Sequence, residues 1–177
     1  MKYVLAFDPG VSSGVALASY SDDKPFDLVE AWQFGNGVQG LLDWLNDHRI
    51  FLSGQDNLTA VCEKFVPIPG RGFSQSLDST IPLVGEGVLI GQGLMSPYNP
   101  QSDRWQRPHV MYQHGGKNLS ERKKKSRAFL KENGMYKMPR ELGTKDSDDA
   151  MSATLHALYF ITHTLKHKPT FDKYYAK

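Results

Sequence analysis

Cysteine is nearly absent from this chain. Cys62 is the only one among 177 residues and lies in an apolar stretch, so neither a disulfide framework nor a cysteine-rich zinc site can form within one chain. A reducing cytoplasm is the expected setting. Long apolar runs are lacking too: the strand-like segment after Met1-Lys2 is about six residues, shorter than the core of a signal peptide, so neither export nor membrane insertion is expected. Charge of one sign is scarce. The net charge of +2 means that binding of nucleic acid must come from local clustering rather than from the overall field. A phosphate loop is missing as well, because Gly85-Glu86-Gly87 and Gly91-Gln92-Gly93 lack the spacing and the following Lys-Ser or Lys-Thr, so no nucleotide cofactor is expected. Those glycines read instead as sites of close helix packing, within the chain or between subunits. The histidines His48, His109, His114, His156, His163 and His167 show no metal-ligand spacing, and His163 and His167 read as helix-dipole partners or surface residues.

What is present is an ordinary globular composition, 40% hydrophobic and 23% charged, which argues against a disordered or fibrous protein. The length suits one domain over residues 1–177, with no internal repeat and no linker. Tyr3-Val4-Leu5-Ala6-Phe7 reads as a central strand stopped by Pro9-Gly10, followed by strands over 14–20 and 28–34 in a meander. Val38, Leu41, Leu42 and Leu45 recur at helical spacing and predict an amphipathic helix over 37–49. Residues 58–62 form another buried strand, and a Pro- and Gly-rich loop over 66–72 leads to a helix from about 76 to 90. The stretch 96–108 is polar and contains proline, and 109–112 is one more candidate strand. A helix over 119–133 ends at Gly134, and a last helix from about Ser147 carries Met151, Leu155, Leu158, Thr162 and Leu165 on one side and stops before Pro169. This order is α/β, a mixed sheet with flanking helices. Trp32, Trp44 and Trp105 read as core or partial core.

The positions of four acids carry the chemical argument. Asp8 and Glu63 each end an apolar strand, and if those strands are neighbours the two carboxylates meet at one sheet edge. Like-charge repulsion and desolvation make such a pair costly unless a cation lies between them. Asp146 and Asp149, spaced i, i+3 at the start of the last helix, share one face of its first turn and suit the positive end of its dipole. Taken singly, Asp8 before Pro-Gly also reads as a turn residue, and Asp146 to Asp149 as plain N-caps. Oxygen ligands without cysteine favour Mg²⁺, with Mn²⁺ as a substitute, and two such ions would serve an in-line phosphodiester displacement.

These residues carry a family resemblance. Phe7-Asp8-Pro9-Gly10-Val11-Ser12-Ser13-Gly14-Val15-Ala16 resembles the first motif of RuvC-type Holliday-junction resolvases, Glu63-Lys64-Phe65 their second acidic motif, and Asp146-Ser147-Asp148-Asp149-Ala150-Met151-Ser152-Ala153 the aspartates that open their last helix. The resemblance implies an RNase H-like fold with a five-stranded mixed sheet flanked by helices, a homodimer, and Mg²⁺-dependent paired nicks at a four-way DNA junction. It makes Asp8, Glu63, Asp146 and Asp149 the metal-holding carboxylates, with Asp149 preferred over Asp148 because it directly precedes Ala150. Lys117, after Gly115-Gly116, occupies a place similar to a family lysine and is the candidate to reach the scissile phosphate. The segments 66–74 and 96–108 depart from the pattern, as a divergent or virus-encoded member would.

For DNA, Lys117, Arg122, Lys123, Lys124, Lys125, Arg127 and Lys131 are clustered with Glu121 as the single acid among them, in and just before the helix over 119–133. Consecutive basic residues cannot share one helical face, so a solvated face competes with phosphate binding. Phe65, Arg71 and Phe73 flank the glycine-rich loop beyond Glu63, where aromatic rings could stack on unpaired bases, although core packing competes for Phe65. Rival readings remain. Actin-like ATPases also open on an aspartate and glycines but need two such domains. A nuclease acting on flaps, RNA/DNA hybrids or packaging intermediates shares the same acids, and a non-catalytic DNA-binding module would not need them.

Overall fold

The computed structural model describes residues 1–49, 52, 56–65, 80–98, 102–107, 114–137 and 148–176. Five strands form one mixed sheet in the order β3-β2-β1-β4-β5, with β1 Lys2–Asp8, β2 Ser13–Tyr20, β3 Asp27–Phe34, β4 Leu58–Glu63 and β5 Trp105–Gln106. The meander β1-β2-β3 is antiparallel, as the short polar loops between its apolar runs require, while β4 returns parallel to β1 after the helix α1 Gly37–Asp47. Further helices are α2 Ile81–Gly91, α3 Leu119–Glu132, α4 Asp148–Tyr159 and α5 Lys168–Tyr174.

Strand alternation divides the core between the two sheet faces. Leu5, Phe7, Val15 and Leu17 pack with Leu41, Trp44 and Leu45 of α1 and with Leu89 of α2. On the opposite face Val4, Ala6, Ala16, Ala18, Ala31 and Val61 pack against α4 through Ala150, Ala153, Ala157 and Leu158, with Leu130 of α3 outside. The alanines on both sides let α4 lie close to the sheet. Gly14 shows how close: a Cβ there would sit 2.0 Å from the carbonyl oxygen of Asp149. Across the sheet, Gly85 of α2 plays the same part, since its Cβ would meet Pro9 at 2.8 Å, whereas Gly87, Gly91 and Gly93 meet nothing within 4 Å among the described residues, so the expected close packing inside the chain holds for Gly85 alone.

Several expectations from sequence are corrected. The polar stretch 96–108 contains the edge strand β5, which hydrogen-bonds β4 through Cys62 N–H to Arg104 O at 2.9 Å and Lys64 N–H to Gln106 O at 2.6 Å. The candidate strand at 109–112 and the start of the helix expected at 76 lie outside the described residues. The last helix does not present one apolar side: Met151 to Leu158 are all buried, because α4 lies between the sheet and α3. It then widens into a π-helical turn over Phe160–Thr164, which leaves Leu165 43% exposed rather than on the core face. That helix does stop before Pro169, as expected, and the proline then lies in the first turn of a further helix, α5, where its missing N–H costs nothing. His167 is no surface residue, since its ring pairs with Thr170 Oγ1 at 2.7 Å and with Ser21 O at 2.9 Å, tying α5 to the β2–β3 turn. Trp44 and Trp105 are buried and Trp32 partly so. No helix among the described residues is long and apolar enough to cross a membrane.

Candidate active site

Alternation that buries Val4 and Ala6 against α4 points the next residue of that series, Asp8, to the same face at the end of β1. Val61 and Glu63 repeat the pattern on β4, and the parallel register Phe7 to Cys62 sets Asp8 and Glu63 side by side. Gln33 follows Ala31 on β3, and Gln106 lies opposite the buried Trp105 on β5. The polar ends of four strands thus face α4, whose Asp149, Ser152 and His156 are spaced i, i+3, i+7 and form one stripe.

Gln33 seats the helix. Its Oε1 accepts from the backbone N–H of Asp149 at 3.1 Å and of Ala150 at 3.2 Å, which satisfies two of the first-turn donors that a helix leaves open. Asp149 is thereby held where its charge acts on Asp8. The Asp8 carboxyl is pushed well above its ordinary pKa, first by burial, then by the charges of Glu63 and Asp149; a hydrogen bond from Ser152 and the charge of Lys123 oppose the rise. Glu63, Asp149, Ser152 and Lys123 thus all lie within electrostatic reach of Asp8. Cys62, packed with Phe7 and Leu89 on the other face of the sheet, points away from these acids, and burial followed by the charges of Glu86, Asp8 and Glu63 raises its thiol pKa well above the ordinary value.

Glu63 is gripped from α4. Its Oε2 accepts from Ser152 Oγ at 3.0 Å and from His156 Nε2 at 2.7 Å, while His156 Nδ1 lies 2.7 Å from Gln106 Oε1. His156 is fully buried. A carboxylate only accepts, so Nε2 carries the proton. Gln106 Nε2 has no partner among the described residues.

The carboxylate set fits a hard divalent cation in its chemistry: oxygen donors, and mutual repulsion that a cation would relieve. Among the described residues, however, no group of three His, Cys, Asp or Glu side chains is placed so that it could hold a metal ion, so Asp8, Glu63 and Asp149 are not by themselves a finished metal site. Asp146, the fourth expected acid, lies outside the described residues, as do Arg71 and Phe73. The side chain of Asp148 is likewise not described, and Asp149 is the one whose charge reaches Asp8.

The basic cluster sits on α3 and the turn before it. Asn118 Oδ1 caps the helix by accepting from Glu121 N–H at 2.9 Å, and Glu121 Oε2 accepts from the Lys117 N–H at 2.8 Å, so the one acid in the cluster is engaged in capping. Lys117, Lys124 and Lys125 are exposed; Arg122, Lys123 and Arg127 are partly buried. Arg122 Nε donates to Gly116 O at 3.1 Å and so braces the turn that carries Lys117. Lys123 is the cation of this helix whose field acts on Asp8, which the sequence placed only within a general basic run. Phe65 is partly buried, and its backbone N–H donates to Glu86 Oε1 at 2.6 Å. Glu86, 5% exposed, also binds Lys64 Nζ at 2.5 Å, and that ammonium lies 4.6 Å from the Tyr98 ring, so the chain leaving β4 is anchored at its root.

The sequence missed Ser152 and His156, although their i, i+3, i+7 spacing from Asp149 was a signal that could have found them. No protein-family model and no curated protein matches this chain. Among solved structures it is similar to Thermus thermophilus RuvC in complex with a Holliday junction substrate, at 13% identity with a TM-score of 0.53, covering 90% of this chain and 94% of that one. It is similar also to Thermus thermophilus RuvC by itself, at 14% identity with a TM-score of 0.52, covering 93% and 97%. The fold of this chain is that of RuvC, an RNase H-like sheet with flanking helices.

Proposed function

We propose that this chain is a Mg²⁺-dependent endonuclease that resolves four-way DNA junctions by paired phosphodiester nicks, acting as a homodimer. The observation that carries the reading is that Asp8 and Glu63 end neighbouring parallel strands, with Asp149 at the start of α4 near enough for its charge to help raise the Asp8 carboxyl. Acids so placed cost stability, and a divalent cation gives them a use. The likeness of the fold to a RuvC solved with a Holliday junction substrate supports branched DNA as the substrate.

In this reading Asp8, Glu63, Asp149 and Asp146 hold two Mg²⁺ ions, for which Mn²⁺ substitutes. The bound metal supplies Lewis-acid stabilisation of the attacking and leaving oxygens. Gln33 fixes the start of α4 so that Asp149 meets Asp8 and Glu63 without reorganisation. Lys123, at the acids, and Lys117, on the braced turn, attract the phosphate, and Arg122, Lys124, Lys125 and Arg127 extend that field along α3. Phe65, Arg71 and Phe73 stack on bases unpaired at the branch point.

Labelled four-way junctions, flaps, linear duplexes and RNA/DNA hybrids incubated with the protein, with and without Mg²⁺, test the reading. Symmetric nicks confined to the four-way junction, requiring Mg²⁺ and abolished in Asp8→Asn while junction binding persists, are expected. Equal cutting of flaps would make it a general branch nuclease, and unchanged cleavage by Asp8→Asn would remove the catalytic assignment.

A further inference from the structure

Glu63 ends its strand with two oxygens of unequal circumstance. Oε2 receives both the Ser152 hydroxyl and the His156 imidazole, whereas no hydrogen bond to Oε1 is made among the described residues. The two donors lie one turn apart on α4, both buried, and His156 is itself braced by Gln106 from β5. We infer that Ser152 and His156 are a positioning pair that locks the Glu63 carboxylate by Oε2 and leaves Oε1 as the oxygen offered to a divalent cation. The inference rests on the metal-dependent reading above.

The physical argument is one of preorganisation. A glutamate has three side-chain torsions, and an unsupported carboxylate beside Asp8 would rotate away from the like charge. Two donors on a helix seated by Gln33 remove that freedom before any ion arrives, and charge-assisted bonds of this length are among the stronger ones in a protein. His156 does more than fill space, because a fully buried imidazole between a carboxylate and an amide spans β4 and β5 and couples the edge strand to the site. Ser152, whose single hydroxyl proton goes to Glu63, lies close enough to Asp8 to act on that carboxyl as well. Neither residue is placed to ligate: each spends its polar atoms on the ligand rather than on the ion.

The test is Mn²⁺ affinity of the full chain, read by calorimetry or by the spin resonance of free Mn²⁺, with circular dichroism confirming the fold of each variant. Asp8→Asn is the control that must lose binding. His156→Asn can still reach Gln106 but not Glu63, while His156→Gln places its amide nitrogen near the position of Nε2. Ser152→Ala and His156→Asn are each expected to weaken Mn²⁺ binding roughly ten-fold or more, with His156→Gln within about three-fold of wild type, in the range found for partners that orient metal ligands. Should His156→Asn fail to fold, Ser152→Ala against His156→Gln decides the matter by the same margin. Wild-type affinity in Ser152→Ala, or equal weakening in the Asn and Gln variants, overturns the positioning pair while the loss in Asp8→Asn leaves the metal site standing. A wild type that binds Mn²⁺ no better than Asp8→Asn overturns both.

Discussion

Asp8 carries most of the electrostatic cost of the site. Its carboxyl is raised by burial and by the charges of Glu63 and Asp149, so the folded chain binds a proton there over a pH range in which the unfolded chain, with a value near 3.8, has already lost it. Stability of the metal-free protein therefore falls as pH rises from about 3.8 through the folded value, the reverse of a salt-bridged aspartate. Asp8→Asn removes that penalty. In chelator, thermal melts are expected to show the variant more stable than wild type at neutral pH and less dependent on pH, and added Mg²⁺ is expected to raise the melting temperature of wild type alone. A variant no more stable than wild type in chelator would mean that the three carboxylates do not repel as their placement requires.

Among the elements, α4 decides whether a site exists. Its seat has two parts, the Gln33 amide that satisfies its first N–H groups and the bare Gly14 on which the Asp149 carbonyl rests. Gly14→Ala would put a methyl 2.0 Å from backbone, where no side chain can swing aside, so the start of the helix must lift. A loss of about 1–3 kcal/mol in urea denaturation is expected for such overpacking, with a larger proportional loss of Mg²⁺-dependent cleavage because Asp149 moves with the helix. Cleavage falling only as far as stability does would show that α4 positions nothing. The glycine reads in sequence as part of a motif; the reason for it, a helix terminus pressed on a strand, belongs to the packing of β2 on α4.

At the scale of the whole molecule the net charge of +2 conceals local contrast, with Asp8 and Glu63 at neighbouring strand ends near Asp149 and a run of bases along α3. Lys124 and Lys125 are exposed and lie outside the carboxylate cluster, so Lys124→Ala with Lys125→Ala is expected to weaken junction binding at low salt and to flatten its salt dependence by roughly 0.9 in log-log slope for each phosphate contact removed. Binding measured from low to moderate salt checks this, and an unchanged slope would assign those lysines to solvent.

Local pattern was enough for the elements whose apolar residues repeat over many positions. The meander, the α1 and α3 helices, and the strand ends at Asp8 and Glu63 were legible because period-2 and period-3.6 patterning reports which face of an element is buried. It could not show β5, two residues long in a polar stretch, since a strand that short has no period and exists only through its bonds to β4. Nor could it show the wide turn at Phe160–Thr164 or the α5 helix beyond it, which are set by how α4 leaves the core. His156 is the clearest case. Its spacing from Asp149 put it on the face of the acids but gave no partner, and its meaning arose when the sheet order put Glu63 and Gln106 within 2.7 Å of its two nitrogens. The sequence by itself determined which acids end strands and open helices, because those are local facts of patterning. Which of them meet, and what holds each carboxylate still, was decided by tertiary structure, because contact between residues 89 and 93 positions apart depends on strand order and on the depth to which one helix settles on the sheet.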